Sequence, residues 1–361
     1  APLYRGSMTD PSPELREILQ QAVALEASDI HIKPDAPPAV RVAGRIRRLS
    51  ETPLARSETE AMIRSVLNEV QATRFLKEWE LDFSLDIPGL ARYRANCHYD
   101  RGGWSLALRA LRTRIPRIEE LGLPPIVAEL AVMPRGLILV TGPTGSGKTT
   151  SLAAMIRIIN EHHAATIVTI EDPIEYLQSD VQAFIRQREI GLDTRSFPEA
   201  LKRVLRQDPE VIIIGEMRDL ETISTALTAA ETGHLVIATL HTNSAEATIN
   251  RIIDVYPPNQ QHQIRIQLAA TLQAVISQQL IPRADGTGVV LAFELLLGTY
   301  AVRRLIREEK TYSISTYIQS GKAHGMITMD FSLAHLYREG YISFEEATAH
   351  ALDPEEFRKL V

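Results

Sequence analysis

The residues most able to do chemistry form a glycine-rich run that ends in lysine and threonine. Residues 142–149 read GPTGSGKT and fit the pattern G-x-x-x-x-G-K-[S/T]. Glycines in such a run let backbone N–H groups curl around phosphates, and a helix that begins there adds partial positive charge. An apolar stretch at 137–141 precedes the run, and a helix-like stretch follows it to about residue 161. These flanks predict a phosphate-binding loop and argue against a chance glycine-rich turn.

Residue types within the loop predict separate roles. Lys148 is predicted to contact the β- and γ-phosphates of a nucleotide, and the Thr149 hydroxyl to ligate Mg²⁺. The predicted nucleotide-binding residues are Gly142, Pro143, Thr144, Gly145, Ser146, Gly147, Lys148, Thr149 and Thr150. The loop alone leaves open a motor, a kinase or a switch. Neither Asn-Lys-x-Asp nor Thr-Lys-x-Asp occurs in the sequence, which argues against a GTPase.

Carboxylates follow two other apolar runs. Glu216 closes the run VIIIGE, where an acid at a strand end reaches Mg²⁺ or its bound water. Glu171 and Glu175 flank DPI, directly after the run TIVTI. Because open α/β sheets bind ligands at the carboxyl ends of their strands, these acids are predicted to lie near the loop. We expect Glu175 to activate the attacking water, with Glu171 as second choice, and a solvated Asp-Pro turn is the competing interpretation.

Two histidines and several arginines complete the candidates. His234 and His241 bracket the run LVIATL, so His241 is predicted at the carboxyl end of a strand, near the γ-phosphate. For His234 a structural role is the alternative. Arg92, Arg94 and Arg109 lie in β-like runs of the N-terminal part. They are candidates for the cation that neutralises charge on the transferred phosphoryl group, although most surface arginines are merely solvated.

Composition narrows the class of protein. The 361 residues carry a formal net charge of −6, which argues against a nucleic-acid partner. Cys97 is the single cysteine, so neither a disulfide nor a cysteine-rich zinc site can form within one chain. No apolar run approaches the ~18–20 residues that span a bilayer, so no transmembrane segment is predicted.

The patterning predicts an α/β protein of two domains. Residues 1–7 resemble a tag remnant, and 8–111 read as helices with antiparallel strands. Residues 112–118 are predicted as the interdomain linker. In 119–361, short apolar strands alternate with helices, which is typical of a mostly parallel, buried sheet. The end of the chain, from about 300 to 361, is predicted to be mainly helical.

A capping signal predicts the start of the second helix. Ser57 is a good N-cap residue, and Glu60 follows three residues later. Together they fit a capping box, in which each side chain bonds the other residue's backbone N–H. A helix is therefore predicted over 57–67.

Four motifs in this order resemble the secretion ATPases that power type II and type IV secretion and type IV pili. The loop is followed by TIEDPIE at 169–175, IGEMRD at 214–219 and a histidine-containing segment at 233–243. These are similar to that family's acidic box, second nucleotide motif and histidine box. The run ASDIH at 27–31 resembles the opening of the family's PAS-like first domain. The resemblance implies that a RecA-like ATPase domain follows it.

A further segment resembles the retraction branch of this family. Residues 301–309 read AVRRLIREE and are similar to a helix that marks retraction ATPases, with departures at Val302, Arg304 and Glu309. Periodicity alone makes this an ordinary amphipathic helix. An extension or type II secretion ATPase is the nearest alternative. The extension ATPases usually carry an extra N-terminal domain and a four-cysteine zinc site, and the single cysteine of this sequence disfavours that alternative. A RecA-like nucleic-acid motor and a weakly active accessory paralogue are the others.

The resemblance also implies a mechanism and partners. Six subunits would form a ring, with ATP and Mg²⁺ held between the PAS-like and RecA-like domains. Hydrolysis would change the interdomain angle about the linker. The motor would work in the cytoplasm, peripherally at the inner membrane, against a platform protein of the pilus machinery. It would thereby disassemble the pilus and drive twitching motility.

Overall fold

The computed structural model describes residues 10–42, 44–111 and 114–361. The predicted tag remnant 1–7 lies outside the described residues, as do Arg112 and Thr113 of the predicted linker. The chain divides into two compact units, Ala1–Arg114 (unit 1) and Ile115–Val361 (unit 2). The division falls inside the segment 112–118.

Unit 1 is built on an antiparallel sheet. Its elements are α1 (Pro13–Ala24), β1 (Asp29–Ile32), β2 (Ala39–Val42), β3 (Arg45–Arg48), α2 (Arg56–Val66), α3 (Glu69–Glu78), β4 (Glu80–Ile87), β5 (Ala91–Asp100) and β6 (Gly103–Ala110). The strand order among the described residues is β3-β2-β1-β6-β5-β4. Strand β4 alternates exposed and buried positions, with Leu81, Phe83, Leu85 and Ile87 in the core. This period of two places one face of the sheet against the helices.

The predicted capping box of the second helix is wrong by two positions. Helix α2 begins at Arg56, and Ala55 takes the N-cap position. The Glu58 carboxylate accepts a 2.6 Å hydrogen bond from the Ala55 backbone N–H, which is half of a capping box. Alanine has no side-chain acceptor for the other half. Glu60 instead pairs with Arg64 one turn later, at 3.0 Å.

Unit 2 contains a larger, mostly parallel sheet. Its strands are β7 (Gly136–Thr141), β8 (Thr166–Glu171), β9 (Phe184–Glu189), β10 (Val211–Ile214), β11 (Leu235–Leu240), β12 (Leu272–Pro282) and β13 (Val289–Leu297). Their order is β13-β12-β7-β11-β10-β8-β9, and among these pairs β12 and β13 are antiparallel. All residues of β7, β10 and β11 are buried, because apolar clusters cover both faces of the sheet.

Helices cover this sheet and extend beyond it. They are α4 (Ile126–Ala131), α5 (Lys148–His162), α6 (Phe197–Val204), α7 (Leu220–Glu231), α8 (Ala245–Asp254), α9 (Pro258–Thr271), α10 (Tyr300–Arg307), α11 (Ile314–Ser320), α12 (Met329–Arg338), α13 (Phe344–His350) and α14 (Pro354–Leu360). The predicted fold class is therefore confirmed: an α/β protein with a mostly parallel sheet and a helical C-terminal part. Across the described ranges, no helix combines the length and apolar character that crossing a bilayer requires.

Candidate functional site

The site lies where four parallel strands of unit 2 end. In the register, Leu240 of β11 pairs with Thr141 of β7, and Ala238 pairs with Ile214 of β10. Ile214 in turn pairs with Ile170 of β8. The loops that follow these strands therefore meet at one edge. They line a cavity of about 180 Å³ bounded by Thr144, Gly145, Lys148, Thr149, Leu152, Glu171, Asp172, Pro173, Glu175, Phe197, Gly215, Glu216, Thr239 and His241.

The glycine-rich loop joins β7 directly to α5 and needs glycine at its first position. Gly142 has a φ of 140°, in a region that side-chain-bearing residues rarely adopt. A Cβ there would lie 2.2 Å from the backbone oxygen of Gln278 and 2.5 Å from Ser146 Oγ. The close approach of β12 therefore fixes the path of the loop. Its end delivers the N-terminus of α5, whose first N–H groups have no helical partner.

Lys148 opens α5 and is held within the loop. Its side chain is nearly buried, with 8% of the residue exposed. Its Nζ donates hydrogen bonds to the backbone oxygens of Gly142 at 2.8 Å and Pro143 at 2.9 Å. Burial lowers the pKa of Lys148, and the charges of Glu216 and Glu175 oppose that shift. A desolvated cation inside a loop of backbone donors favours an anion beside it.

Glu216 is the centre of a charged cluster. Its carboxylate, 16% exposed, accepts hydrogen bonds from Arg218 Nε at 2.5 Å and His241 Nε2 at 3.0 Å. Burial raises the pKa of Glu216, but the bonds from Arg218 and His241 outweigh it and the net pKa is lowered. Glu216 is therefore ionised at neutral pH. His241 also reaches the phosphate loop, since its Nδ1 lies 3.5 Å from Lys148 Nζ.

The two glutamates after β8 have different surroundings. Glu171 is 8% exposed, and its Oε1 accepts hydrogen bonds from Thr169 Oγ1 at 2.6 Å and Gln187 Nε2 at 3.2 Å. Glu175 also lines the cavity, but no hydrogen bond or ion pair joins its carboxylate to another described residue. The next residue, Tyr176, is tied to the phosphate-loop helix by a 3.1 Å hydrogen bond to Thr150. Glu171 is thus engaged in the fold, whereas Glu175 is available to the cavity.

One predicted site residue of unit 2 lies away from this cluster, and three others belong to unit 1. His234 precedes β11 at the amino end of the strand, opposite the cavity, and its Nδ1 lies 2.9 Å from the backbone oxygen of Ala229. The structure therefore does not place His234 with the phosphate loop. Arg92 and Arg94 lie on β5, and Arg109 lies on β6 of unit 1.

Those three arginines form part of the unit 1 sheet surface. Arg94 and Arg109 are cross-strand neighbours, and Arg109 Nε bonds Asp29 Oδ1 at 2.9 Å. Arg92 pairs in register with Asp86 on β4. A role for these residues in catalysis stays a prediction.

The sequence analysis missed three residues that shape the site. Arg218 stands two positions after Glu216 in the same motif and forms an ion pair with it. Gly215 donates its N–H to the Ile170 backbone oxygen at 2.8 Å, and a Cβ there would lie 3.0 Å from that oxygen. The Thr239 hydroxyl bonds the backbone oxygen of Gly215. Its place in the same motif as Glu216 is a usable signal for Arg218, whereas the other two depend on strand register.

The donor set fits a nucleotide and a hard cation. Ser146 Oγ is buried in the loop and finds no hydrogen-bond partner among the described residues. Thr149 and Glu216 offer oxygen ligands, which Mg²⁺ prefers. Within the described ranges, no group of three or more His, Cys, Asp or Glu side chains could hold a metal by itself. Mg²⁺ sites commonly combine one or two protein oxygens with substrate phosphates, so this set suits such a site.

A phosphate loop between a buried parallel strand and a helix, with acids and a histidine at the same sheet edge, defines a P-loop ATPase. The family model described as type II/IV secretion system protein matches residues 11–322. The chain belongs to this family.

Individual relatives match nearly the whole chain. The type IV pilus retraction ATPase PilT of Pseudomonas aeruginosa is 44% identical over 344 residues, which cover 95% of this chain and 100% of that protein. The type IV pilus ATPase PilU of the same organism is 40% identical over 96% of this chain and 91% of its own length. A crystal structure of the pilus retraction motor PilT with bound ADP superposes with a TM-score of 0.90 at 47% identity, covering 95% of this chain and 98% of that one.

Proposed function

We propose that this chain is an ATP-driven motor that retracts type IV pili. The observation that carries the proposal is the match of a retraction motor with bound ADP along 95% of the chain. An intact set of hydrolytic residues in the cavity supports it. A nucleotide-binding paralogue with poor turnover would have less reason to keep Glu216 ionised by two hydrogen bonds.

The residues of the cavity have separate roles in ATP hydrolysis. The loop N–H groups and Lys148 hold the phosphates, where the buried ammonium offsets their charge. Thr149 and Glu216 would hold Mg²⁺ or its bound water, and the ion would supply positive charge beside the phosphates. His241 links Glu216 to Lys148 and so senses the charge at the end of the phosphate chain.

Glu175 is the residue that activates the attacking water. Its carboxylate lines the cavity without a hydrogen-bond partner among the described residues, so it is free to accept a proton. Glu171 accepts bonds from Thr169 and Gln187, and these hold it as a structural anchor of the loop. Replacing Glu175 with Gln should reduce kcat by at least about 100-fold, within the range expected of a general base. The matched Glu171→Gln variant should lose much less.

The assembly follows the family resemblance. Six copies form a ring, with Arg92, Arg94 and Arg109 supplying cations to the phosphates and a hinge at 112–118. The ring acts in the cytoplasm at the inner-membrane base of the pilus, against a platform protein. An extension ATPase of the same family is the second candidate. The similarity of 301–309 to the retraction helix favours retraction over it.

A strain that lacks this gene tests the proposal. Complementation with wild type should restore twitching and normal pilus number, whereas Glu216→Ala should leave cells without twitching and with excess pili. Cells without pili would instead identify an extension motor. No change in pili would mean that the chain serves another secretion machine and would refute the proposal.

A further inference from the structure

A buried carboxylate of unit 2 lies outside the nucleotide cavity, beside the starts of two helices. Glu294, on β13, is 4% exposed. Its Oε1 accepts a 2.7 Å hydrogen bond from the Ala245 backbone N–H, and the nearby Met329 backbone N–H acts to lower the pKa of the same carboxylate. Ala245 is the first residue of α8, and Met329 is the first residue of α12. One side chain therefore lies at the N-termini of two separate helices.

Both N–H groups are ones that the helices cannot satisfy themselves. The first N–H groups of a helix have no partner within it, and a negative charge there is stabilised by the helix dipole. The local caps serve later positions: Ser244 accepts from the Ala247 N–H and Thr328 from the Phe331 N–H. Glu294 thus caps α8 and lies beside the start of α12, so the start of α8 can move away from it only by leaving the buried Ala245 N–H unpaired.

Helix α8 leads directly to the nucleotide site. It begins four residues after His241, which bonds Glu216 and approaches Lys148. A second connection between Glu294 and the nucleotide site runs across the sheet. Glu294 faces Ser277 across the β13–β12 ladder, and Ser277 faces Thr141, the last residue before the phosphate loop. The hydroxyls of Ser277 and Thr141 lie 2.8 Å apart.

Helix α12 leads to the end of the chain. Asp330, its second residue, accepts hydrogen bonds from the backbone N–H groups of Leu352 at 2.8 Å and Asp353 at 3.1 Å. Asp353 in turn caps α14 through the N–H groups of Glu355 and Glu356, each at 3.0 Å. A displacement of α12 is therefore passed on to α14.

We propose that Glu294 is a positioning residue that couples the nucleotide site to the helical C-terminal part, by holding the starts of α8 and α12 on one carboxylate. The proposal rests on the nucleotide site of the proposed function. Movement of the His241 segment with the nucleotide shifts the start of α8, and Glu294 carries this shift to α12.

The surroundings of Glu294 supply a matched control. Burial raises the pKa of Glu294 to about 7, against the two helix N–H groups that lower it. The charged groups that face it or line the same cavity are Glu246 on α8, Asp330 on α12, Lys322, Asp353 and Glu356. Glu246 lines this cavity too, but no hydrogen bond joins it to another described residue. Glu246→Gln therefore removes one charge from the same cavity and leaves Glu294 in place at both helix starts.

Hydrogen exchange of the purified full-length protein, with and without Mg-ADP, tests the coupling. In wild type, ADP should slow exchange in the phosphate loop and also change exchange across 329–338. In Glu294→Gln the response of the loop should persist, while the response of 329–338 falls at least fivefold. Glu246→Gln should keep both responses. A simple loss of stability would raise exchange with and without ADP alike, and so would not produce this pattern.

The outcomes separate the two proposals. A loop that responds in wild type without any response at 329–338 overturns the coupling, and this result needs no variant. An equal response at 329–338 in wild type and Glu294→Gln overturns it as well. A wild-type loop that ignores ADP refutes the nucleotide site, and the coupling with it. If Glu294→Gln does not fold, Glu294→Asp keeps the charge but is one methylene too short to hold both helices, and it should show the same selective loss.

Discussion

Single residues set the charge of the cluster around Glu216. The pKa of Glu216 is lowered although burial opposes the shift, because Arg218 and His241 both donate to its carboxylate. A group with a lowered pKa is ionised, and stabilised by its partners, down to a pH below its usual value of about 4.5, and it loses this contribution as pH falls further. The activity that needs ionised Glu216 should therefore survive into mildly acid solution.

Replacing Arg218 with Gln should narrow the pH range over which the protein hydrolyses ATP. Without the guanidinium, one of the two donors that lower the pKa of Glu216 is lost and this pKa rises, so the acid limb of the kcat profile should move to higher pH. The measurement is steady-state ATP hydrolysis between pH 4.5 and 8. Arg203→Gln, at an exposed arginine paired with Glu199 outside the cavity, is the control. An acid limb that does not move in Arg218→Gln would contradict this reading of the cluster.

Gly142 and Gly145 offer a matched pair in the phosphate loop. A Cβ at Gly142 would lie 2.2 Å from the Gln278 oxygen at a φ of 140°, whereas one at Gly145, with a φ of 83°, meets nothing within 4 Å. Gly142→Ala should cost about 1–3 kcal/mol of stability and weaken ADP binding, and Gly145→Ala should cost about 1 kcal/mol from backbone strain alone. Thermal unfolding and ADP titration measure both. Equal costs would show that the backbone of β12 does not constrain the loop.

Sequence reasoning located the residues that belong to a spaced motif. Lys148 and Glu216 were identified because loop, strand and acid have a fixed order in P-loop ATPases. Arg218 was missed although it stands in the same motif as Glu216, and the structure adds that its side chain turns back to that carboxylate. The sequence placed Glu175 ahead of Glu171 as the base but could not show what separates them, namely the hydrogen bonds of Glu171 to Thr169 and Gln187.

At the scale of elements, the sequence pattern predicted the central strands. It did not predict strands where one element runs into the next without a loop. Strands β7, β8, β10 and β11 are short apolar runs between turn signals, and each was predicted within one residue of its observed bounds. Strand β12 follows α9 without an intervening loop, and its mixed sequence LQAVISQQLIP shows no clear period. Neither it nor β13 was predicted, so the place of Glu294 beside two helix starts could not be foreseen.

Glu294 lies on β13 beside the starts of α8 and α12, and it also makes the free energy of unfolding depend on pH. Its pKa of about 7 in the folded state exceeds the usual 4.5, so its contribution is fully present below pH 4.5 and is lost as pH rises through 7. Relative to wild type, Glu294→Gln should therefore become more stable as pH rises from 4.5 to 8. Urea unfolding at several pH values measures this. A stability difference that stays constant with pH would show that Glu294 does not titrate in this range.

At the scale of the whole molecule, composition argues against some classes of protein but does not identify the function. A formal net charge of −6 offers no general attraction for the phosphate backbone of DNA. ATP hydrolysis should therefore be unchanged by single- or double-stranded DNA at low salt. A severalfold stimulation would favour a RecA-like nucleic-acid motor, the one alternative from a different class.

The sequence predicts two domains because its pattern changes from antiparallel to parallel strands near 112–118, and the chain divides into two compact units after Arg114. The ring, the platform partner and the direction of movement are proposals that follow from the family resemblance. The central claim is that hydrolysis in this ring shortens pili.

The most direct test is the shortening of fluorescently labelled pili in living cells that lack the chromosomal gene. Wild type should restore shortening. Glu175→Gln should leave pili that extend and do not shorten, and the matched variant Glu171→Gln should retain most of the shortening. Pili that shorten at the wild-type speed in cells carrying only Glu175→Gln would contradict the account.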